Sequence, residues 1–447
     1  MRPLPVGHAA RSLAAVGLVE LALAVRGRSA LDSLGEVVID RAPLPLIELG
    51  VQLMGTTDKP LLRLQSLGVL VAGGTAVGAR LAPERGRASR RTTALAVAGL
   101  GAVAASRAVL ARRAPRTSAD LAPSAGAPAP DDGADGWAST PLVTPVEDFY
   151  VTDVTMRAPV IDADGWRLEV EAADGTRAAV DAARLAGLPL QERQALLACV
   201  HNRPGWDRLG QQSWTGLPLP ELLAALGLPV PDAADDSLDL VMEGADGLVM
   251  TLPWPEVVAR RSWLVTAIGG RPLTAAHGHP ARVLTAGLPG QYGGPKWVTG
   301  LRLRPAGSVA ASWVARGWPR GPVVVPLMAR IDSLGTVGMP PRLPRRPVPV
   351  QAHGEVSGVA WAPAHGGVAG VDLRVDDGPW QPAELAADLG ADSWRRWRAP
   401  LDLAPGTHEL AVRCRAGDGT VQAGTGRPPY PSGADGYHRV RVVAGRA

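Results

Sequence analysis

Three apolar stretches open the chain, at residues 12–25, 61–82 and 92–111, rich in Ala, Gly, Val and Leu and bordered by arginine. None is an unbroken run of twenty, because Glu20, Arg63 and Arg107 interrupt or edge them. No matching polar faces accompany them. That favours membrane helices, which tolerate small residues and place edge arginines at the headgroups, over the alternative of a buried bundle in a soluble protein. The loop between the second and third stretches carries Arg80, Arg85, Arg87, Arg90 and Arg91. Such a loop belongs on the cytoplasmic side, so the chain after residue 112 is expected on the outer face. Arg112, Arg113 and Arg116 sit on the disfavoured side of that arrangement. Residues 32–59, with Pro43 and Pro45 and a shorter apolar run, predict a surface or re-entrant segment and not a fourth span. Nothing resembles a small-residue cleavage site, so residues 1–112 read as a membrane anchor of about three helices.

Residues 113–140 are rich in Pro, Ala, Gly, Ser and Asp without an apolar period, which predicts a flexible linker. From 141 to 340, short strand-like and helical runs alternate. Residues 166–171 alternate at period two, and 217–226 read as a short helix after prolines. Residues 238–242 and 248–252 read as strands around a Gly-Ala-Asp-Gly turn. The pattern predicts a mixed α+β domain. After a basic, Pro-rich hinge, residues 345–447 change character. Runs at 356–362, 371–375, 394–399, 408–413 and 438–443 have the spacing of a β-sandwich. Cys414 falls on the Leu/Val side of its alternation, as a core residue does. Trp361, Trp380 and Trp397 are candidates for that domain's core or interface.

A chain of 447 residues exceeds one core and should hold two or three domains. The net charge is +4, and no aromatic-interleaved basic stripe exists, which argues against nucleic acid as a partner. Of 46 basic residues only Lys59 and Lys296 are lysine, so either one is a candidate for a site that needs a compact ammonium. Two cysteines far apart make no disulfide framework. Cys199 ends the apolar run Leu196-Leu197-Ala198-Cys199-Val200 and leads into His201-Asn202-Arg203-Pro204-Gly205-Trp206. A thiol where a buried strand opens into a polar loop suits a soft metal ligand or a nucleophile, although a buried inert thiol shares the pattern. Later come His277-Gly278-His279-Pro280-Ala281-Arg282 and Gly293-Gly294-Pro295-Lys296-Trp297, which together suggest a bound anion. A loop histidine and a surface ion-pair lysine are the plainer alternatives there.

In this order, these stretches resemble the sulfite-oxidase-type molybdopterin oxidoreductases. The nearest likeness is to membrane-anchored bacterial members with a C-terminal immunoglobulin-like dimerisation domain. The resemblance starts at Asp148-Phe149-Tyr150-Val151-Thr152-Asp153 and runs through Ala198-Cys199-Val200-His201-Asn202 and Trp214-Thr215-Gly216-Leu217-Pro218-Leu219. It continues through the His277 and Lys296 stretches to Arg330-Ile331-Asp332 and Val359-Ala360-Trp361-Ala362. It implies a molybdenum–molybdopterin cofactor with Cys199 as the protein thiolate on the metal. His277, Arg282 and Lys296 match cofactor-contacting positions. Arginine suits phosphate as a bidentate fork and lysine as a point charge. Gly293 and Gly294 are expected to let backbone N–H groups approach the anion, and Phe149 and Tyr150 to border the pterin. His201, Asn202, Arg203 and Tyr292 lie beside the metal in this reading, as pocket residues or solvated loop.

The resemblance implies two-electron oxygen-atom transfer on a small or sulfur-containing substrate, on the extracytoplasmic side of the membrane. A homodimer and a separate electron-transfer partner are expected, since no haem-attachment motif is present. Sulfite is not specifically indicated, because Pro204 follows Arg203 where a second basic residue is usual and His279 replaces an aromatic residue. Two rivals remain: a hydrolase with Cys199 as nucleophile and His277 or His201 as base, and a membrane-anchored binding protein that has lost the cofactor.

Overall fold

The computed structural model describes residues 6–26, 28–41, 58–81, 90–112, 137, 141–152, 154–334 and 347–445. Much of the arginine-rich loop and the linker lies outside these residues. The described residues form two units, one of helices through residue 112 joined by 154–160, the other made of 137, 141–152 and everything from 161 onward.

The first unit contains α1 (Val6–Val25), α2 (Ala30–Arg41), α3 (Asp58–Leu81) and α4 (Arg90–Arg112). Helices α1 and α4 touch along small residues. A Cβ at Gly17 would collide with the Gly99 backbone, and one at Gly99 would lie 2.6 Å from Leu13 O. Such close approach is how helices associate where water supplies no driving force. Two helices, through His8–Val25 and Arg91–Leu110, are long and apolar enough to cross a membrane. The second apolar stretch has a shorter window, Leu62–Val77 among the described residues, against the roughly 20 residues a bilayer needs. Arg63, at its edge, is engaged in an ion pair with Asp32 of α2 at 2.6 Å. The twelve-residue α2 occupies part of the interval expected to be re-entrant.

The second unit begins with β1 (Arg167–Glu171), β2 (Arg177–Asp181), β3 (Gln191–Ala198), β4 (Leu209–Pro218), β5 (Leu238–Gly244) and β6 (Val249–Pro253). It continues with β7 (Trp263–Ile268), β8 (Arg271–Pro272), β9 (Arg282–Leu284) and β10 (Val298–Pro305). One sheet has the order β2-β1-β10-β5-β6, in which only β1 and β10 run parallel. The other, β3-β4-β7-β8 with β9 on β7, carries the site. The helix read at 217–226 starts later, at Leu219, because Leu217 and Pro218 still pair with β7.

The remaining strands are β11 (Met328–Ser333), β12 (Val348–Val350), β13 (His353–Trp361), β14 (Val368–Val375), β15 (Gln381–Pro382), β16 (Glu384–Leu385), β17 (Arg395–Asp402), β18 (Gly406–Ala416) and β19 (His438–Ala444). They form two sheets, β11-β13-β17-β16 and β12-β19-β18-β14-β15, closing on one apolar core that includes Trp397 and Cys414. Strand β11 belongs to this sandwich, pairing Arg330 with Val359, so the sandwich starts before the boundary expected near residue 340. Trp361 is buried as well, whereas Trp380 is half-buried between Arg374 and Arg413 (4.8 and 4.4 Å from the ring centre). Trp137, inside the expected linker, stacks under Arg398 at 4.5 Å.

Strand β3 positions the site. Its face with Ala195 and Leu197 joins Phe149, Trp214 and Trp263, while Leu196 and Ala198 pack on Val359, Trp361 and Trp394 of the sandwich region. A strand covered on both faces loses hydrophobic alternation, which is why 196–200 reads as one continuous apolar run. Its C-terminal end, where Cys199 follows, is consequently held from two sides.

Candidate functional site

The hairpin between β3 and β4 closes around Cys199. The Cys199 N–H donates to Arg208 O at 2.8 Å, and the Asn202 N–H donates to Cys199 O at 2.9 Å. Asn202 is buried, and its Oδ1 accepts the Arg208 N–H at 3.0 Å. Its visible role is thus to tie the loop to its return strand. From the sandwich, Arg330 donates to Trp206 O at 3.0 Å while paired with Asp332. Gly205 is required: its φ is 78°, and a Cβ there would lie 2.5 Å from the His438 ring. The Arg203 guanidinium sits 5.6 Å from the Trp206 ring centre, with Arg208 at 5.8 Å.

The Cys199 thiol is partly exposed, and its Sγ lies 3.9 Å from His201 Nδ1. Burial works to raise its pKa, but the His201 hydrogen bond and charge, with Arg208, outweigh burial and hold the thiol below its ordinary range. A thiolate is what a metal or an electrophile requires. His201 stacks edge-on to Trp318 at 5.6 Å, and Trp318 to Tyr430 at 5.4 Å.

A second group assembles around Gly278. His277 ends a 3-10 turn capped by Thr274. Its Nε2–H donates to Phe149 O at 3.4 Å, and its Nδ1 accepts from the Thr274 hydroxyl at 2.7 Å, an arrangement that fits neutral imidazole. Burial, then the nearby Arg282 charge, press its pKa down to about 4. Gly278 has φ 107°, and a Cβ there would stand 3.1 Å from the Cβ atoms of both Arg282 and Lys296. Lys296 Nζ donates to Ala276 O at 3.0 Å and lies 4.5 Å from the Trp297 ring centre. Arg282 opens β9, is 5% exposed, and donates to His277 O at 3.3 Å.

Tyr150 stacks on Phe149 with ring centres 5.6 Å apart. Burial, with the Cys199 charge, pushes its pKa well up, while the Arg282 and Arg208 charges oppose that rise. Phe149 packs edge-on against His277 at 5.9 Å. The turn Gly290–Gly293 adjoins, with Tyr150 Oη 3.8 Å from where a Gly290 Cβ would be. Tyr292 on that turn is buried, its hydroxyl 3.4 Å from Pro319 O.

The two glycines also take part in local packing. The Gly293 N–H is used within its own turn, donating to Pro289 O at 2.8 Å. Gly294, at φ 138°, is needed for contact with β9, since a Cβ would fall 2.5 Å from Val283 Cβ. Both therefore serve local closure.

Residues 155–310 match the oxidoreductase molybdopterin-binding domain family. Human sulfite oxidase, a mitochondrial protein, is 26% identical over 341 residues, covering 67% of this chain and 61% of the relative. The mouse protein is 25% identical over 340 residues with the same coverage. Residues 155–310 carry an oxidoreductase molybdopterin-binding domain. Its cofactor is the molybdenum cofactor. The sulfane dehydrogenase SoxCD from Paracoccus pantotrophus shares the fold, with a TM-score of 0.55 at 18% identity over 68% of this chain and 84% of that one. The chain spans about 61% of the length of the curated relatives it matches.

The molybdopterin domain's residues fit such a cofactor. Among the described residues no group of three or more His, Cys, Asp or Glu could hold a metal ion, and Cys199 is a half-buried free thiol. That donor set suits a metal that brings its own sulfur ligands. Arg282 is a buried cation with no carboxylate ion pair among the described residues; its Nε is unpartnered, and burial lowers its pKa to about 10. An anion against that guanidinium offsets the cost of burying it.

Arg208 and Trp318 join the site beyond the sequence-derived set. Arg208 was detectable in principle as the hairpin partner of Cys199. Trp318 comes from a distant segment and carries no local signal.

Proposed function

We propose that this chain is a membrane-anchored molybdenum oxidoreductase performing two-electron oxygen-atom transfer on a small or sulfur-containing substrate outside the cytoplasm. The observation that carries the reading is a thiol at the end of β3, 3.9 Å from His201 Nδ1, in a domain whose buried Arg282 has an unpartnered Nε and no carboxylate ion pair among the described residues. Cys199 is the protein ligand to the metal. Arg282 and Lys296 take the cofactor's phosphate, neutral His277 offers a hydrogen bond to its polar edge, and Phe149 and Tyr150 wall the pterin. Asn202 holds the Cys199 loop, while Arg203 and Tyr292 face the substrate side. When bound, the cofactor supplies the redox chemistry; the chain's part is binding, orientation and electrostatics.

Residues 1–112 serve as the anchor and 113–140 as the linker. The arginine-rich loop on the cytoplasmic side places the molybdopterin domain on the outer side. The exposed apolar residues Leu18, Val19, Val69, Val97 and Leu100 support lipid contact. The C-terminal sandwich is read as an immunoglobulin-like domain through which two copies dimerise, and electrons pass to or from a separate partner protein.

Elemental analysis of purified protein beside a Cys199→Ala variant tests the core of this proposal, with both made in a host that synthesises the cofactor. Molybdenum near one per chain in the wild type and strongly reduced in the variant supports it. Equal molybdenum in both removes Cys199 as the ligand, and none in either removes the molybdenum reading.

A further inference from the structure

Residues 154–160 follow the linker in sequence yet fold with the helices that precede it. Met156 is 1% exposed and lies against Gly35 of α2, where a Cβ would come within 2.9–3.0 Å of its Sδ, Cε and Cγ. Arg63 of α3 donates to Met156 O at 2.7 Å, and the Met156 N–H approaches Glu36 Oε1 at 3.4 Å. Arg157 donates to Leu110 O at 2.5 Å. Leu110 is in the last turn of α4, whose carbonyls have no partner inside the helix, so Arg157 acts as its C-terminal cap.

The receiving surface is braced by an ionic network. Asp32 holds Arg63 at 2.6 Å and Arg107 at 3.0 Å, and Arg107 also pairs with Glu20. Glu20 is fully buried and accepts the Ala30 N–H at 2.9 Å, fixing the start of α2. The charges that interrupt the apolar stretches in the sequence are therefore the ones that shape a seat for Met156.

We propose that the helical unit is a docking surface for residues 154–160, so that the molybdopterin-bearing chain is fastened to its helices twice. One fastening is the covalent linker and the other is a plug made by Met156 and Arg157. Describing the helices as a membrane anchor rests on the function proposed above; the plug itself does not. Because the segment is covalently attached, its high effective concentration lets a contact this small stay closed.

The test uses the full chain with a protease site inserted between residues 120 and 130 and the double substitution Gly35→Cys, Met156→Cys. The close approach of these positions suits a disulfide. After mild oxidation and cleavage, most of the chain is expected to run as one cross-linked species on a non-reducing gel and to separate on reduction. Arg63→Ala and Arg157→Ala, added to that background, should slow cross-linking severalfold. The proposal is overturned if the pair fails to cross-link, if Gly35→Cys alone cross-links equally well, or if neither arginine substitution alters the rate. Sedimentation of the uncut chain with phosphatidylcholine–phosphatidylglycerol vesicles tests the anchor separately. A chain left in the supernatant removes the membrane reading while the cross-link stands, and a sedimenting chain without the cross-link removes the plug alone.

Discussion

The two cysteines divide the molecule into regions built on opposite rules. Around Cys414 the sandwich is an apolar core: the thiol is wholly buried among Leu, Val and Ala, with burial raising its pKa to about 12. The charges nearby are matched outside the core, Arg413 and Arg415 both reaching Asp372 at 2.9 and 3.2 Å. Around Cys199, by contrast, the buried Arg282 has an unpartnered Nε and no carboxylate ion pair among the described residues, and the thiol is pulled below its ordinary range. A buried guanidinium held by a carbonyl and an indole face, with its Nε unpartnered, is where an anionic ligand would complete the site.

Substituting the two thiols in turn should expose this difference most sharply. Cys199→Ala is expected to lower oxygen-transfer activity by more than about 100-fold, exceeding the loss typical of residues that only support a metal ligand. Its effect on the unfolding midpoint should be small. Cys414→Ala should do the reverse, costing about 1–2 kcal/mol in denaturant unfolding with activity per folded molecule intact. Equal activity losses in the two variants would break the contrast between the regions.

Arg282→Met separates ligand completion from ordinary packing. In cofactor-free protein the substitution removes a buried charge and should leave stability unchanged or raise it by about 1–4 kcal/mol. With cofactor present, losing the phosphate partner should weaken retention by about 2–5 kcal/mol. Thermal unfolding of both forms, with molybdenum retention after gel filtration, reads the two signs. A variant destabilised without cofactor would mean that the guanidinium is structural.

Much of the sandwich was legible from the chain because its strands alternate: the side of Cys414, and the runs near β13, β14, β17, β18 and β19, follow directly from period two. The buried strand before Cys199 was legible for the opposite reason, an apolar run without alternation. What stayed hidden depends on distant partners. His201 acquires meaning from its 3.9 Å approach to Cys199 and from Trp318, which lies far along the chain. Gly294 reads like an anion-loop glycine, but its conformation answers to Val283 on β9. Arg63 marks a span boundary in the sequence, whereas in the structure it joins Asp32 to Met156 O. Local pattern records which face of an element is buried, not which remote atom meets it.

Protonation extends the comparison to a smaller scale. His277 is neutral in the fold with its pKa near 4, against about 6.5 in an unfolded chain. Below 6.5 the unfolded state therefore binds the extra proton, and cofactor-free stability should fall as pH drops from 6.5 toward 4. The expected loss is on the order of 3 kcal/mol by the acid end of that window. His277→Gln should flatten this limb of the stability curve, and an unchanged limb would show that the imidazole is not held neutral.

His408 on the sandwich should show the opposite slope and the smallest effect. Its Nδ1 lies 2.8 Å from Asp376 Oδ2 and its Nε2 2.8 Å from Ala404 O. The Asp376 hydrogen bond leads the causes that raise its pKa above the ordinary value. A raised folded pKa gives stability that is complete below about pH 6.5 and fades as pH climbs through the folded value. Because Asp376 is half exposed, solvent screening should keep the contribution to a few tenths of a kcal/mol. His408→Gln should therefore lower stability slightly at pH 5.5 and leave it unchanged at pH 8.5. A larger loss at pH 8.5 would mean that the ring contributes by packing and that the surface pair carries no measurable charge stabilisation.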